Sequence, residues 1–94
     1  MELSVKQVLH LGIAAQKAGR LEKAERLYQA ILRLQPNHPD ANHNLGLLAV
    51  LDNRNEISLP FFEKAIQSKP QSENFWLSYI DALISEEKYF DAQH

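Results

Sequence analysis

Shifted by 34 residues, the chain falls on itself. Leu11-Gly12 aligns with Leu45-Gly46, Ala15 with Ala49, Arg20 with Arg54, Glu22 with Glu56 and Pro36 with Pro70. Conservative matches fill the intervals: Ala24 with Ser58, Tyr28 with Phe62, Leu32 with Ile66. A second shift of the same size places Trp76, Tyr79, Leu83, Tyr89 and Ala92 on the register of Val8, Leu11, Ala15, Leu21 and Ala24. A fixed period of this size signals an array of stacked units, each too small to bury its own apolar face.

Within each unit the apolar spacing is helical. Val8, Leu11, Gly12 and Ala15 recur at three and four residues, as do Leu21, Ala24, Leu27, Tyr28 and Ile31. Ala18-Gly19-Arg20 separates the two runs, and glycine there takes the left-handed conformation that ends a helix. Ser4 with Gln7 is a capping-box signature. Pro36 and Pro39 bracket a break, with Asn37 or His38 as the next N-cap and Pro39 in the first turn. Ser72 is placed to cap a helix at Glu73. The spacing predicts helices near 5–18, 21–34, 39–52, 56–68 and 73–86, then a stub from Tyr89. In the second unit Asn53 stands at the turn glycine's place and tolerates the same geometry. Pro60 lies inside the fourth helix, where it is expected to kink the helix or delay its start. Gly12 and Gly46 are expected to open space opposite the small Ala24 and Ser58. Tyr28, Phe62 and Trp76 are expected to be buried.

Leu-Gly, a small residue twelve positions after the glycine, an aromatic four later and a proline eight beyond that, repeated every 34 residues, resemble the tetratricopeptide-repeat (TPR) family. The resemblance covers residues 5–92. It implies an all-α fold, a right-handed superhelical stack of antiparallel helix pairs: repeat one at 5–38, repeat two at 39–72 and a partial repeat three at 73–94.

Composition agrees with a small packed protein. Of 94 residues, 45% are hydrophobic, enough for a core and too many for a disordered segment. No cysteine is present, which excludes disulfides, thiolate metal sites and a cysteine nucleophile. The longest apolar run, Leu45 to Leu51, is far short of the ~20 residues a membrane span needs. The first residues lack the layout of a signal peptide, so a soluble, cytoplasmic protein without membrane contact is expected. A net charge of −2 argues against nucleic acid as a partner. The charge is polarised: six Lys/Arg face three Asp/Glu in residues 1–38, and four face nine in residues 39–94.

No catalytic set appears. Ser4, Ser58, Ser72 and Ser78 have uses as caps or small packing residues. Neither a phosphate-binding glycine loop nor a His-Glu-x-x-His is present. His38, Asp40 and His43 are too few for a zinc site, and their spacing matches no known ligand pattern; they read as a capping and a groove histidine. Glu86-Glu87 are adjacent, so they do not share a helix face as an acid–base pair. The expected function is therefore non-enzymatic, with no cofactor and no metal.

By the resemblance, the first helix of each pair lines a concave groove that takes a peptide or partner protein. The implied groove positions are Lys6, Leu9, His10, Ile13 and Lys17, then Asp40, His43, Asn44, Leu47 and Leu51, then Asn74, Ser78 and Asp81. The apolar members among them suit contact with a partner. In TPR proteins that clamp chaperone carboxylates, cationic residues and asparagines hold the ligand. The matching positions here are Leu9, Ile13, Asn44, Asn74 and Ser78, with no cation among them, so that activity is not expected. His10, Asn44 and Ser78 form one polar group per unit, similar to the asparagine ladder of TPR regions fused to glycosyltransferases, with Asn44 the single match.

Two function classes follow. One is a scaffold that binds a protein or peptide. The other is the TPR segment of a larger enzyme such as a bacterial glycosyltransferase, since the chain stops within a third unit that would extend to about residue 106. Trp76, Tyr79, Ile80 and Leu83 lie on the face that a following helix would cover. A homodimer through residues 73–92 is expected to bury them, with a monomer whose stub folds back as the alternative.

Overall fold

The computed structural model describes the backbone of residues 3–93 and the side chains of residues 3–87. The described residues form five helices: α1 (Val5–Lys17), α2 (Leu21–Leu34), α3 (Pro39–Leu51), α4 (Asn55–Ser68) and α5 (Glu73–Gln93). Connectors of three or four residues turn each helix back along its predecessor. The molecule is elongated, 54 × 28 × 20 Å.

Local chemistry sets the helix ends. Ser4 Oγ accepts from the Gln7 amide at 3.1 Å, while Gln7 Oε1 accepts from the Ser4 amide at 2.7 Å, completing the capping box. His38 caps α3, its Nδ1 accepting from the Ala41 amide at 3.1 Å, with Pro39 in the first turn. Ser72 Oγ accepts from the Phe75 amide at 3.4 Å at the start of α5. The turns after α1 and α3 are copies of each other. Gly19 (φ 79°) and Asn53 (φ 57°) are left-handed, and the next amide, of Arg20 or Arg54, donates back to Ala15 or Ala49 at 2.8 Å in both.

At the same register in the third unit stands Glu87, and there the chain does not turn. The expected break before Tyr89 is absent, and α5 runs unbroken to Gln93. A left-handed glutamate is sterically costly, whereas glutamate is a good helix former. The fold-back alternative is removed with the break. Pro60 lies inside α4 and does not delay it, since the helix begins at Asn55. Ser58 Oγ donates to the Asn55 carbonyl at 2.6 Å within that first turn.

Packing follows the repeat, with one correction. Tyr28 and Phe62 are fully buried, and each lies against the glycine of the preceding helix. A Cβ at Gly12 would stand 2.5 Å from Tyr28 Cε1, and one at Gly46 would stand 2.6 Å from Phe62 Cδ1. The glycines therefore make room for the aromatic rings, not for Ala24 and Ser58 as the sequence suggested. One core cluster joins α1, α2 and α3 through Leu9, Ala15, Ala24, Tyr28, Ile31, Ala41, Leu45 and Leu48. A second joins α4 and α5 through Ala65, Ile66 and Phe75.

Trp76 is a further correction. It is 42% exposed, and Phe75 beside it is the buried aromatic of α5. Its indole Nε1 donates to the Pro70 carbonyl at 2.7 Å. Thirty-four residues earlier, buried Asn42 donates through Nδ2 to the Pro36 carbonyl at 3.1 Å. The two side chains answer the same need, a partner for the carbonyl left free where proline ends a unit. Asn42 is covered and Trp76 is not.

Candidate functional site

The polar row centres on α3 and is more connected than its spacing alone suggests. His43 Nε2 and Ser78 Oγ share a hydrogen bond at 2.8 Å, linking α3 to α5. The His43 ring stacks on Phe75, centroids 4.6 Å apart at 28°, and leans against Phe62 at 5.6 Å. Beside it, the Tyr28 hydroxyl donates to Gln16 Oε1 at 2.8 Å.

Half-buried Asn44 follows His43 in α3. Burial pushes the Tyr28 hydroxyl up from its ordinary pKa, and Asn44 offsets part of that rise. Burial pushes His43 down, while Asn44 and the Asp40 carboxylate act the other way.

Of the other sequence-derived positions, His10 and Asp81 are exposed, and Ile13 and Leu47 are half-buried. Leu9 is 9% exposed and belongs to the first core cluster, so it offers a partner little surface; the helix turns it inward toward the core. Leu51 is 61% exposed and lines a cleft with Leu21 and Ile57, residues of α2 and α4. Tyr79 is half-buried against the α4–α5 cluster, and its hydroxyl donates to Glu63 Oε1 at 3.3 Å; it faces α4, away from the open stripe of α5. Trp76, Ile80 and Leu83 form that stripe. The sequence reading did not assign Phe75 or Gln16 to this region. Phase on a helix does not distinguish Phe75 from Trp76 without the neighbouring helix, and Gln16 has no periodic partner.

His43 gives this region a pH dependence of defined sign. Its folded pKa lies below the ordinary value near 6.5, so the unfolded chain binds the proton more tightly. Its neutral-state contribution is present above pH ~6.5 and is lost as pH falls toward the lowered folded value. The melting temperature is expected to drop between pH 7.5 and 5.5. In His43→Gln, which keeps a hydrogen-bonding group toward Ser78 without titrating, the drop is expected to be smaller. Equal drops in both proteins, measured by thermal circular dichroism, would assign the effect elsewhere.

Among the described residues no group of three or more His, Cys, Asp or Glu converges as a metal site. No helix there is long and apolar enough to cross a membrane.

Comparison with known proteins agrees with the all-helical repeat fold. A family model described as "Tetratricopeptide repeat" matches residues 9–73. "Cellulose synthase operon protein C" of Komagataeibacter xylinus is 32% identical over 78 residues, 83% of this chain and 6% of that protein. Among solved structures, MamA AMB-1 superposes with a TM-score of 0.79 at 26% identity, covering 96% of this chain and 49% of that one. MamA MSR-1 superposes with a TM-score of 0.76 at 24% identity, covering 96% and 52%. The chain thus spans a small part of the curated relative and about half of the MamA chains.

Proposed function

This chain belongs to the tetratricopeptide-repeat family, and from that premise we propose that it holds an extended segment of a partner protein along α1, α3 and α5. The fold is generally a scaffold for protein–protein contact and generally non-catalytic. The observation that carries the reading is the row of polar groups at one register on three helices. His10, Asn44 and Ser78 are spaced by 34 residues, with His43 bound to Ser78 and half-buried Ile13 and Leu47 alongside. Amide and hydroxyl groups serve an extended backbone's donors and acceptors, and apolar neighbours take its side chains.

Peptides selected on the immobilised protein from a random display library provide the test. Asn44→Ala is expected to weaken their binding by roughly 1–2 kcal/mol, read by calorimetry, with the melting temperature little changed. Unchanged affinity would overturn the reading. A large loss of stability would make Asn44 a structural partner of Tyr28 and His43 instead.

For the open stripe of α5 the proposed partner is a second copy of this chain. Trp76, Ile80 and Leu83 are each more than 40% exposed along one helical line. Ile80 occupies the register of Gly12 and Gly46, so it fills the gap through which those glycines admit an aromatic from the next helix. A helix at ordinary spacing suits such a surface, and a two-fold contact between copies supplies one. Sedimentation is expected to show a dimer at high micromolar concentration and a monomer for Trp76→Glu. A wild-type monomer under those conditions would sink the dimer.

A further inference from the structure

A second apolar surface lies between α2 and α4, over the C-terminal half of α3. Leu21, Leu51 and Ile57, each at least 40% exposed, come from three different helices and converge on a cleft of about 280 Å³. Buried Leu48 and half-buried Phe61 lie at its floor. The core does not need these three side chains exposed together. Such a convergence on a small protein marks a contact surface, and the cleft is large enough for one large apolar side chain.

The polar lining has one dominant sign. Glu22 and Glu25 stand on the α2 side and Asp52 at the end of α3. Arg54, the cation of the lining, lies 3.7 Å from Asp52 and is balanced by it. Among the described residues neither Glu22 nor Glu25 makes an ion pair. An acid-rimmed apolar cleft selects an apolar anchor with cations beside it and repels one flanked by acids.

We infer that this cleft is a second docking site, which takes a short partner segment presenting a Leu or Phe anchor flanked by Lys or Arg. Its α2 and α4 walls belong to no helix of the polar row, so one chain engages two segments at once.

Titration of the isotope-labelled full chain with acetyl-Lys-Arg-Phe-Leu-Arg-Lys-amide, followed by amide chemical shifts, tests this. Saturable shifts are expected at Leu21, Ala49, Leu51 and Ile57. Leu51→Lys is expected to abolish them. The double variant Glu22→Lys, Glu25→Lys is expected to weaken binding about tenfold. These substitutions lie at exposed positions, and circular dichroism verifies that helix content is kept. Saturable shifts from the acidic peptide acetyl-Glu-Asp-Phe-Leu-Asp-Glu-amide at equal affinity would overturn the proposal. So would shifts centred on His43, Asn44 and Ser78, or none at the cleft up to millimolar peptide. Failure here leaves the polar row's role standing, because the Glu22→Lys, Glu25→Lys variant lies on α2, a helix that carries none of the row's residues.

Discussion

Phe62→Ala is expected to cost about 3–5 kcal/mol, the range for deleting a fully buried aromatic ring. Phe62 has no exposed surface, fills the space beside Gly46 and supports the ring of His43. Against a total of roughly 5–15 kcal/mol for a folded domain, this removes a large share of the stability. Urea unfolding at pH 7.5, followed by circular dichroism, measures it. Trp76→Ala provides the contrast. It deletes a larger ring, but one that is 42% exposed with a single bond to the Pro70 carbonyl, so its cost is expected to be clearly smaller. If the two losses come out equal, or reversed, the distribution of the core described above is wrong.

Gly46→Ala is expected to destabilise by about 1–3 kcal/mol even though alanine is the better helix former. Helix propensity alone predicts a gain of about 1 kcal/mol. The opposing effect is steric: the new Cβ would stand 2.6 Å from Phe62 Cδ1, and the ring is enclosed. Steric overlap is the larger effect because the ring cannot move without opening a void elsewhere. Phe62→Leu in the same chain removes part of the obstruction. The double variant Gly46→Ala, Phe62→Leu is therefore expected to be more stable than the two single losses combined imply. Additive losses would show that Gly46 is not reserved for the ring.

These two variants probe the part of the molecule most legible from residues alone. The 34-residue register, the capping box at Ser4, the cap at His38 and the left-handed positions at Gly19 and Asn53 all follow from local backbone and side-chain preferences. Such preferences act within a few residues and are written in the order of the chain. The continuity of α5 was legible by the same means, because Glu87 stands where the earlier units place Gly19 and Asn53. The apolar match of Tyr89 with Leu21 points the other way. The pairing of glycine with aromatic was half legible. The residue types were evident, but sequence order does not tell whether a glycine faces the ring or the small residue four positions before it.

What the tertiary structure alone decided is which faces stay open. Leu9 and Leu51 both looked like groove positions, yet one is enclosed by the first core cluster and the other lines the cleft between α2 and α4. Phe75 and Trp76 are neighbours in sequence with similar hydrophobicity. One stacks on His43 within the core, and the other lies over Pro70 in reach of water. His43 and Ser78 are 35 residues apart and meet because α3 and α5 lie side by side, which no local rule specifies. Helix formation depends on a residue and its near neighbours in the chain. Exposure depends on the element that packs across from it, and that element is fixed only when all five helices are stacked.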